Sequence, residues 1–95
     1  MSGLAFEWNS RKASENKRRH GVSFEEAKSA FLDENARLIP DPVDDEDRFL
    51  LLGLSIQLGL LLICHCYRED DEVIKIISAR KADRSERQQY SEYLR

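Results

Sequence analysis

The sequence predicts an α+β domain, in which a small antiparallel β-sheet is packed by helices. The main observation is an uncharged run from 49 to 67 that glycine and polar residues interrupt near its middle. Two strands at 49–54 and 60–67, joined by a hairpin turn, account for both features. A third strand pattern at 73–78 follows an acidic reversal at 69–72, and helix signals lie before and after this region. We therefore expect the element order β-α-α-β-β-β-β-α.

The uncharged run is also close to the length of a membrane-spanning helix, which is the main alternative. Turn-forming and polar residues in the middle of the run argue against this alternative, because lipid would accept them least at that depth. These residues are Gly53, Ser55, Gln57 and Gly59. We therefore expect no association with a membrane.

Composition is typical of a folded single domain spanning 1–95, with 41% hydrophobic residues in a chain of 95. A net charge of -3 would by itself disfavour a nucleic-acid-binding protein. The acids, however, are concentrated at 41–47 and 69–72, and bases exceed acids in the rest of the chain. There is no apolar N-terminal segment of signal-peptide type, so we expect a cytoplasmic protein.

Local signals define the first two elements. A short strand is predicted at 4–8. Asn9 is a suitable N-cap for a helix that runs to His20, where Gly21 supplies the left-handed stop. This first helix is strongly basic and has little apolar surface beyond Ala13, so we expect it on the outside of the domain.

A capping box predicts the start of the second helix, because the Ser23 hydroxyl and the Glu26 carboxylate can each accept from a free backbone amide. Phe24, Ala27 and Phe31 follow with helical spacing. We expect this apolar stripe to pack on the sheet.

A short strand at 35–40 and an acidic loop at 41–47 are predicted before the hairpin. After the strand at 73–78, Asp83 and Glu86 form a second cap-and-acid arrangement that opens the C-terminal helix.

The Cys-His-Cys triplet in the second hairpin strand does not predict a metal site. Cys64 and Cys66 share one face of a strand, whereas His65 points to the other, so the three side chains cannot bind one zinc ion locally. We expect two buried, reduced thiols and no metal.

Several patterns, taken in chain order, resemble the BrnT family of ribonuclease toxins. The matching residues are Phe6-Glu7-Trp8, Asn16, His20-Gly21-Val22-Ser23-Phe24-Glu25-Glu26-Ala27, Phe31, His65 with Tyr67-Arg68, Ile76-Ile77-Ser78-Ala79-Arg80-Lys81-Ala82, Glu86 and Tyr90. The resemblance covers nearly the whole chain, and the segment 76–82 is its most specific part.

The resemblance implies a RelE-like microbial ribonuclease fold and metal-independent cleavage of RNA, without a cofactor, that inhibits translation and growth. It also implies a BrnA-like antitoxin, a ribbon-helix-helix protein that neutralises the toxin in a 2:2 complex. DNA would be contacted only through the antitoxin.

Metal-independent cleavage of RNA needs groups that move protons and groups that stabilise the charge of the phosphorane. Arg80 and Lys81 are the first candidates for charge stabilisation, because a guanidinium can bridge two phosphate oxygens and an ammonium acts as a point charge. The alternative is a corner between strand and helix in which these bases are paired with acids.

A reversal at 69–72 would pair Arg68 with Val73 and Cys66 with Lys75. Arg68 and Lys75 would then lie on the same side of the sheet. We therefore include Arg68 among the candidate catalytic residues and Lys75 among the candidate RNA-binding residues.

His65 is the candidate for proton transfer, because an ordinary histidine titrates near neutral pH. In the register above, however, His65 and Tyr67 point to the opposite side, so a buried, hydrogen-bonded histidine is the alternative. Tyr67, Tyr90 and Arg84 are further candidates for RNA binding. Tyr90 could instead pack against Leu94 and close the core.

The basic residues of the first helix are the expected binding surface for an antitoxin, through complementary charge. They are Arg11, Lys12, Arg18 and Arg19. A second hypothesis remains open. Because no unambiguous acid–base pair stands out, the chain could be a module that binds protein or nucleic acid without catalysis.

Overall fold

The computed structural model describes residues 4–40, 47–68 and 72–94. The predicted class and element order are both confirmed. In chain order, the elements are β1 (Ala5–Glu7), α1 (Ser10–His20), α2 (Phe24–Ala30), β2 (Arg37–Pro40), β3 (Phe49–Leu54), β4 (Leu60–Arg68), β5 (Val73–Lys81) and α3 (Arg84–Tyr93). Most of the two acidic loops, at 41–46 and 69–71, lies outside the described residues.

One five-stranded sheet, in the order β1-β5-β4-β3-β2, organises the fold. The uncharged run forms β3 and β4 rather than a helix. Within the described parts of the chain, no helix is long and apolar enough to cross a membrane.

The prediction of a wholly antiparallel sheet is wrong at one edge, because β1 pairs with β5 in parallel. A parallel pair requires a long crossover connection, and here two helices and three strands separate the partners. The register aligns Phe6 with Ile74 and Glu7 with Lys75. Nothing in the sequence near β1 indicates a partner so distant.

The main core lies between the sheet and α2, with Ala13 of α1 at its margin. Leu61, Ile63 and His65 alternate along β4 and turn their side chains towards these helices, where all three are buried. From α2, Phe24 and Ala27 pack into the same cluster, which confirms the predicted apolar stripe. Fully burying each large side chain stabilises the fold by about 1.5–3 kcal/mol, so this layer supplies most of the driving force.

A second and smaller core lies on the other face of the sheet, beneath α3. Its buried members are Leu52, Leu62, Ala82 and Tyr90. Because α3 is the one helix packed on this face among the described elements, part of the face remains open.

A β-bulge interrupts the pairing of β4 with β5. Cys64 pairs with Ser78 and His65 pairs with Ile76, which leaves Ile77 as an extra residue on β5. The strand then continues to Lys81, three residues beyond the predicted end at Ser78.

The caps of α1 and α3 confirm their predictions. The Asn9 side chain accepts from the Lys12 amide, and Gly21 ends α1 with a φ of 73°. Asp83 and Glu86 form a complete capping box at the start of α3. Such caps satisfy backbone amides that have no partner inside the helix.

The capping box predicted for α2 is only half correct. Ser23 accepts from the Glu26 amide at 3.0 Å, as expected. The Glu26 carboxylate, however, accepts from the backbone amides of Gln57 and Leu58. It therefore holds the β3–β4 turn against α2 instead of capping its own helix.

The basic helix α1 is attached to the sheet by a polar side chain. The Asn16 amide nitrogen donates to the carbonyl oxygens of Val22 and Ala79, both at 2.9 Å, and its oxygen accepts from the Ala79 amide at 3.1 Å. Asn16 is 7% exposed and is the one residue of α1 that is buried. It occupies the outer edge of β5 beyond the end of β1, where a further strand would otherwise pair.

We expect Asn16→Leu to lower the free energy of unfolding by about 2–4 kcal/mol, because it leaves the Ala79 backbone groups buried without partners. Ser14→Ala, at an exposed site on the same helix, is the matched control and should change stability by less than about 0.5 kcal/mol. Urea denaturation of both variants measures the difference. Equal stability of the two would contradict the anchoring role.

His65 is a core residue. It is 0% exposed, and its ring contacts the aromatic rings of Phe31, Phe49 and Tyr67. Its Nδ1 lies 3.3 Å from the Ile63 carbonyl oxygen, and its Nε2 lies 3.4 Å from the Tyr67 hydroxyl. Burial lowers the pKa of His65, although the Ile63 carbonyl opposes this by favouring the protonated ring.

We predict that His65 makes stability depend on pH. Since its pKa is lower in the folded state, the unfolded chain takes up a proton first as the pH falls below 6.5, the ordinary value. Wild type should then lose stability relative to His65→Leu by up to about 1.4 kcal/mol per pH unit. Denaturant titrations at a series of pH values measure this, and parallel pH profiles would refute it.

Candidate functional site

Three basic side chains lie on the face of the sheet opposite α1 and α2. Arg68 lies on β4, whereas Lys75 and Arg80 lie on β5. Lys75 pairs with Cys66, and Arg80 pairs with Leu62. Since residues 62, 66 and 68 of a strand point to one side, all three cations share a face, which we call the basic face.

The bulge is what allows Lys75 and Arg80 to share this face. A regular strand would place residues five apart on opposite sides of the sheet. The extra residue Ile77 shifts the alternation by one, so both side chains emerge on the same side. Their partners on β4, Cys66 and Leu62, are four residues apart, so Lys75 and Arg80 are separated by about 13 Å along the strands.

Glu7 adds a carboxylate to the basic face. Its register with Lys75 places it on the same side, and its Oε2 lies 3.4 Å from Nη1 of Arg68. The two side chains of this ion pair are 43% and 48% exposed. Exposed pairs of this kind are worth little in water, so an incoming phosphate can replace Glu7 on Arg68.

Arg80 is held in a fixed orientation by Glu86. Its two terminal nitrogens donate to the two carboxylate oxygens, each at 2.8 Å. This pairing lowers the pKa of Glu86 and raises the pKa of Arg80, so both groups remain charged at neutral pH. Because Glu86 also caps α3, the guanidinium is tied to the start of that helix.

The ion pair with Glu86 does not use all the N–H donors of Arg80. Its described hydrogen bonds, two to Glu86 and one to the Lys81 carbonyl, use three of the five N–H donors of a guanidinium. The Arg80 side chain is 39% exposed. It can therefore bind an anion without releasing Glu86.

Lys81 lies apart from Arg80, and the predicted basic corner is wrong in its geometry. Since β5 continues through both residues, neighbouring side chains point to opposite sides of the sheet. Lys81 pairs with Leu61, whose side chain faces α2. The Lys81 side chain lies on this same side of the sheet and is exposed. The two cations cannot act together on one phosphate in this arrangement.

The remaining geometric predictions for β4 are confirmed. Arg68 pairs with Val73 and Cys66 with Lys75, as expected from a reversal at 69–72. His65 and Tyr67 point to the helix side. His65 is fully buried, so its ring cannot reach a ligand on the basic face.

Tyr90 is also placed in a core rather than on a binding surface. It is 5% exposed, and its hydroxyl donates to the Asp33 carboxylate. Burial and this hydrogen bond raise the pKa of Tyr90 to about 12. Burial alone would raise the pKa of Asp33, but hydrogen bonds from the Leu54 amide, the Tyr90 hydroxyl and the Asn35 amide hold it below its ordinary value.

The other predicted residues lie on exposed helices. Arg84 is exposed in the first turn of α3. The four bases assigned to the antitoxin surface are all exposed on α1, and they are Arg11, Lys12, Arg18 and Arg19. Arg11 forms an ion pair with Glu15 at 3.8 Å.

The cysteines are free thiols, with Cys64 buried and Cys66 half-buried. Within the described residues there is no group of three or more side chains suited to holding a metal ion.

No pattern in the sequence assigns Glu7 to the site. Its alternation with Phe6 and Trp8 indicated only that it points away from them. A position beside Lys75 follows from the parallel pairing of β1 with β5. A signal was present in the segment Phe6-Glu7-Trp8, which belongs to the family pattern, but that pattern does not say which face Glu7 joins.

Comparison with known proteins agrees with this architecture. The crystal structure of the Brucella abortus ribonuclease toxin BrnT, at 1.1 Å resolution, superposes with a TM-score of 0.69. The match covers 86% of this chain and 100% of the Brucella chain at 20% sequence identity, so it shows a shared fold. No curated protein sequence matches this chain.

The family comparison extends from the fold to the sequence itself. Residues 8–86 match the model of a family described as the ribonuclease toxin, BrnT, of type II toxin–antitoxin systems. The matched segment contains α1, α2, the four strands β2 to β5 and the Arg80–Glu86 pair of the basic face. The chain therefore belongs to the BrnT family of ribonuclease toxins.

Proposed function

We propose that this protein is a cytoplasmic endoribonuclease toxin that cleaves RNA without a metal ion and binds the scissile phosphodiester on the basic face. The observation that carries the proposal is the placement of Arg68, Lys75 and Arg80 along one face of the sheet, with Arg80 held in place by Glu86. Membership of a family of ribonuclease toxins supports the same activity.

RNA contains its own nucleophile, so the protein needs to supply only proton transfer and charge stabilisation. The 2′-hydroxyl loses its proton to a base, and its oxygen bonds to phosphorus. The bond from phosphorus to the 5′-oxygen then breaks, and this oxygen takes up a proton. The products are a 2′,3′-cyclic phosphate and a free 5′-hydroxyl group.

We assign charge stabilisation at the scissile phosphate to Arg80, whereas Arg68 and Lys75, about 13 Å or more away along the strands, hold neighbouring phosphates. Glu7 pairs with Lys75 and lies beside Arg68, about 13 Å along the strands from Arg80, so we assign it to the orientation of Arg68 and not to proton transfer at the scissile phosphate. Glu86 acts as a positioning residue for the guanidinium. His65 and Tyr90 have no part in this assignment, because His65 is buried on the opposite side of the sheet and Tyr90 is buried beneath α3.

A second function is favoured by one observation, namely that both arginines of the face already contact carboxylates. A module that binds RNA or a protein without cutting would tolerate such neutralised cations. Purified protein would then bind RNA and leave its length unchanged.

We expect Arg80→Ala to lower kcat/KM for RNA cleavage by roughly 100-fold or more, since it removes a preorganised donor to the developing charge. Lys81→Ala is the matched control, because it removes one cation from the same strand but from the opposite face. Its rate should stay close to wild type. Gel analysis of labelled RNA measures both rates and the cyclic phosphate end.

Glu86→Gln separates chemistry from folding, because it weakens the same ion pair and leaves the guanidinium in place. A loss of activity in Arg80→Ala that exceeds the loss in Glu86→Gln at equal folded fraction indicates a role in the reaction. Equal activity of Arg80→Ala and Lys81→Ala would refute the assignment of Arg80. Inhibition of wild type by EDTA would refute metal-independent cleavage.

For inhibition, we propose that a BrnA-like ribbon-helix-helix antitoxin binds the exposed basic surface of α1 in a 2:2 complex. The bases Arg11, Lys12, Arg18 and Arg19 suit an acidic segment of the partner. DNA binding would then belong to the antitoxin alone.

We expect Arg11→Glu with Arg18→Glu to weaken antitoxin binding and to slow association, because charge at the rim of an interface steers the encounter. The effect should shrink as salt is raised, since exposed charges are screened over about 8 Å at physiological ionic strength. Surface plasmon resonance at several salt concentrations measures this. Unchanged association rates would place the antitoxin on a different surface.

A further inference from the structure

We propose that a groove between α1 and the bulge of β5 binds a second phosphate of the RNA strand, so that substrate runs from the basic face around the edge of the sheet. This inference rests on the proposed ribonuclease function. The groove has a volume of about 230 Å³ and is lined by Lys12, Glu15, Arg19, His20, Ile77 and Ser78, with Asn16 beside β5. None of the sequence patterns indicated it.

Helical spacing divides the bases of α1 into two rows. Lys12 and Arg19 lie four residues before and three residues after Asn16, so they flank the buried anchor on the side that faces β5. Arg11 and Arg18 are seven residues apart and form an outer row, away from the groove. Only the inner row can reach a ligand held against the bulge.

The charge of the groove favours an anion. Lys12 and Arg19 contribute two positive charges, and Glu15 contributes one negative charge that is drawn towards Arg11 of the outer row. Ser78 and His20 add two polar residues to the lining. The Asn16 side chain already bonds the backbone of β5, so it forms the wall of the groove rather than contacting the ligand.

The position of the groove favours RNA over an acidic peptide. Ser78 lies two residues, about 7 Å, from Arg80 along β5. Ser78 pairs with Cys64 of β4. Two residues further along β4, Cys66 lies on the basic face. A single polynucleotide that crosses this edge meets Arg80 and then the inner row of α1, with cations at both ends of the path.

A direct test measures binding of a single-stranded oligonucleotide with 2′-O-methyl sugars, which lacks the internal nucleophile and cannot be cleaved. By fluorescence anisotropy, Lys12→Ala with Arg19→Ala should raise Kd about tenfold at low salt. The slope of log affinity against log salt should become shallower by about 0.7, the contribution of one phosphate on a single strand.

The matched control is Arg11→Ala with Arg18→Ala, which removes the same number of charges from the same helix outside the groove. This variant should retain the wild-type slope. Equal losses in the two double variants would show a general effect of net charge and would overturn the inference. An unchanged Kd for the groove variant, with weakened binding of the antitoxin, would assign the groove to an acidic peptide instead and would also overturn it.

Cleavage of a dinucleoside monophosphate separates this inference from the proposed function. That substrate has no second phosphate, so the groove variant should cleave it at the wild-type rate while longer RNA shows a raised KM. Loss of cleavage in both substrates would contradict a separate subsite. If Arg80→Ala left cleavage intact, the assignment of the basic face would fail, whereas the anisotropy measurement would still decide the groove.

Discussion

A regular strand places residues five apart on opposite faces, and β5 would do so with Lys75 and Arg80 if every residue were paired with β4. The unpaired Ile77 removes this conflict. Before the bulge, Ile74 and Ile76 face the helices, and after it Ala79 does so. This one extra residue lets the apolar side chains at both ends of the nine-residue strand face the core. It also places Lys75 and Arg80 on the same face of the sheet.

The electrostatics of the face explain how a protein of net charge -3 can present cations to a polyanion. Of its 18 acids, nine lie at 41–47 and 69–72 of the sequence, whereas Arg68, Lys75 and Arg80 project from strands on one face. Exposed charges are screened over about 8 Å, so an anion on the face responds mainly to the charged groups nearest to it. Net charge is therefore a poor guide to the ligand of this chain.

The pairing of each arginine with a carboxylate has different consequences at the two positions. Glu7 and Arg68 are both well exposed, so their attraction is weak and an incoming anion can compete for the arginine. Glu86 is only 18% exposed and engages Arg80 through two parallel hydrogen bonds while also capping α3. Arg80 is consequently fixed before any ligand arrives, which lowers the entropy lost on binding.

Much of the fold could be predicted from the sequence, because its signals are local. Asn9, Gly21 and Asp83 mark helix ends through their own side chains or backbone, and the break at Gly53 to Gly59 marks a hairpin. The site was less predictable because it depends on pairing between distant segments. The parallel partner of β1 lies far along the chain, and the strand identity of Arg80 and Lys81 comes from pairing with β4 rather than from local preference.

One polar residue, Asn16, attaches α1 to the sheet and also determines where the bases of that helix lie. A helix with bases on several sides lacks the apolar stripe that normally docks a helix, so packing alone would hold it poorly. Asn16 instead bonds the edge of β5 at Ala79, where β1 has already ended, and this also protects an exposed strand edge. Because the helix is fixed at a strand edge rather than pressed onto the sheet, a polar groove remains beside the bulge. The same contact that completes the fold thus sets the inner row of bases next to the basic face.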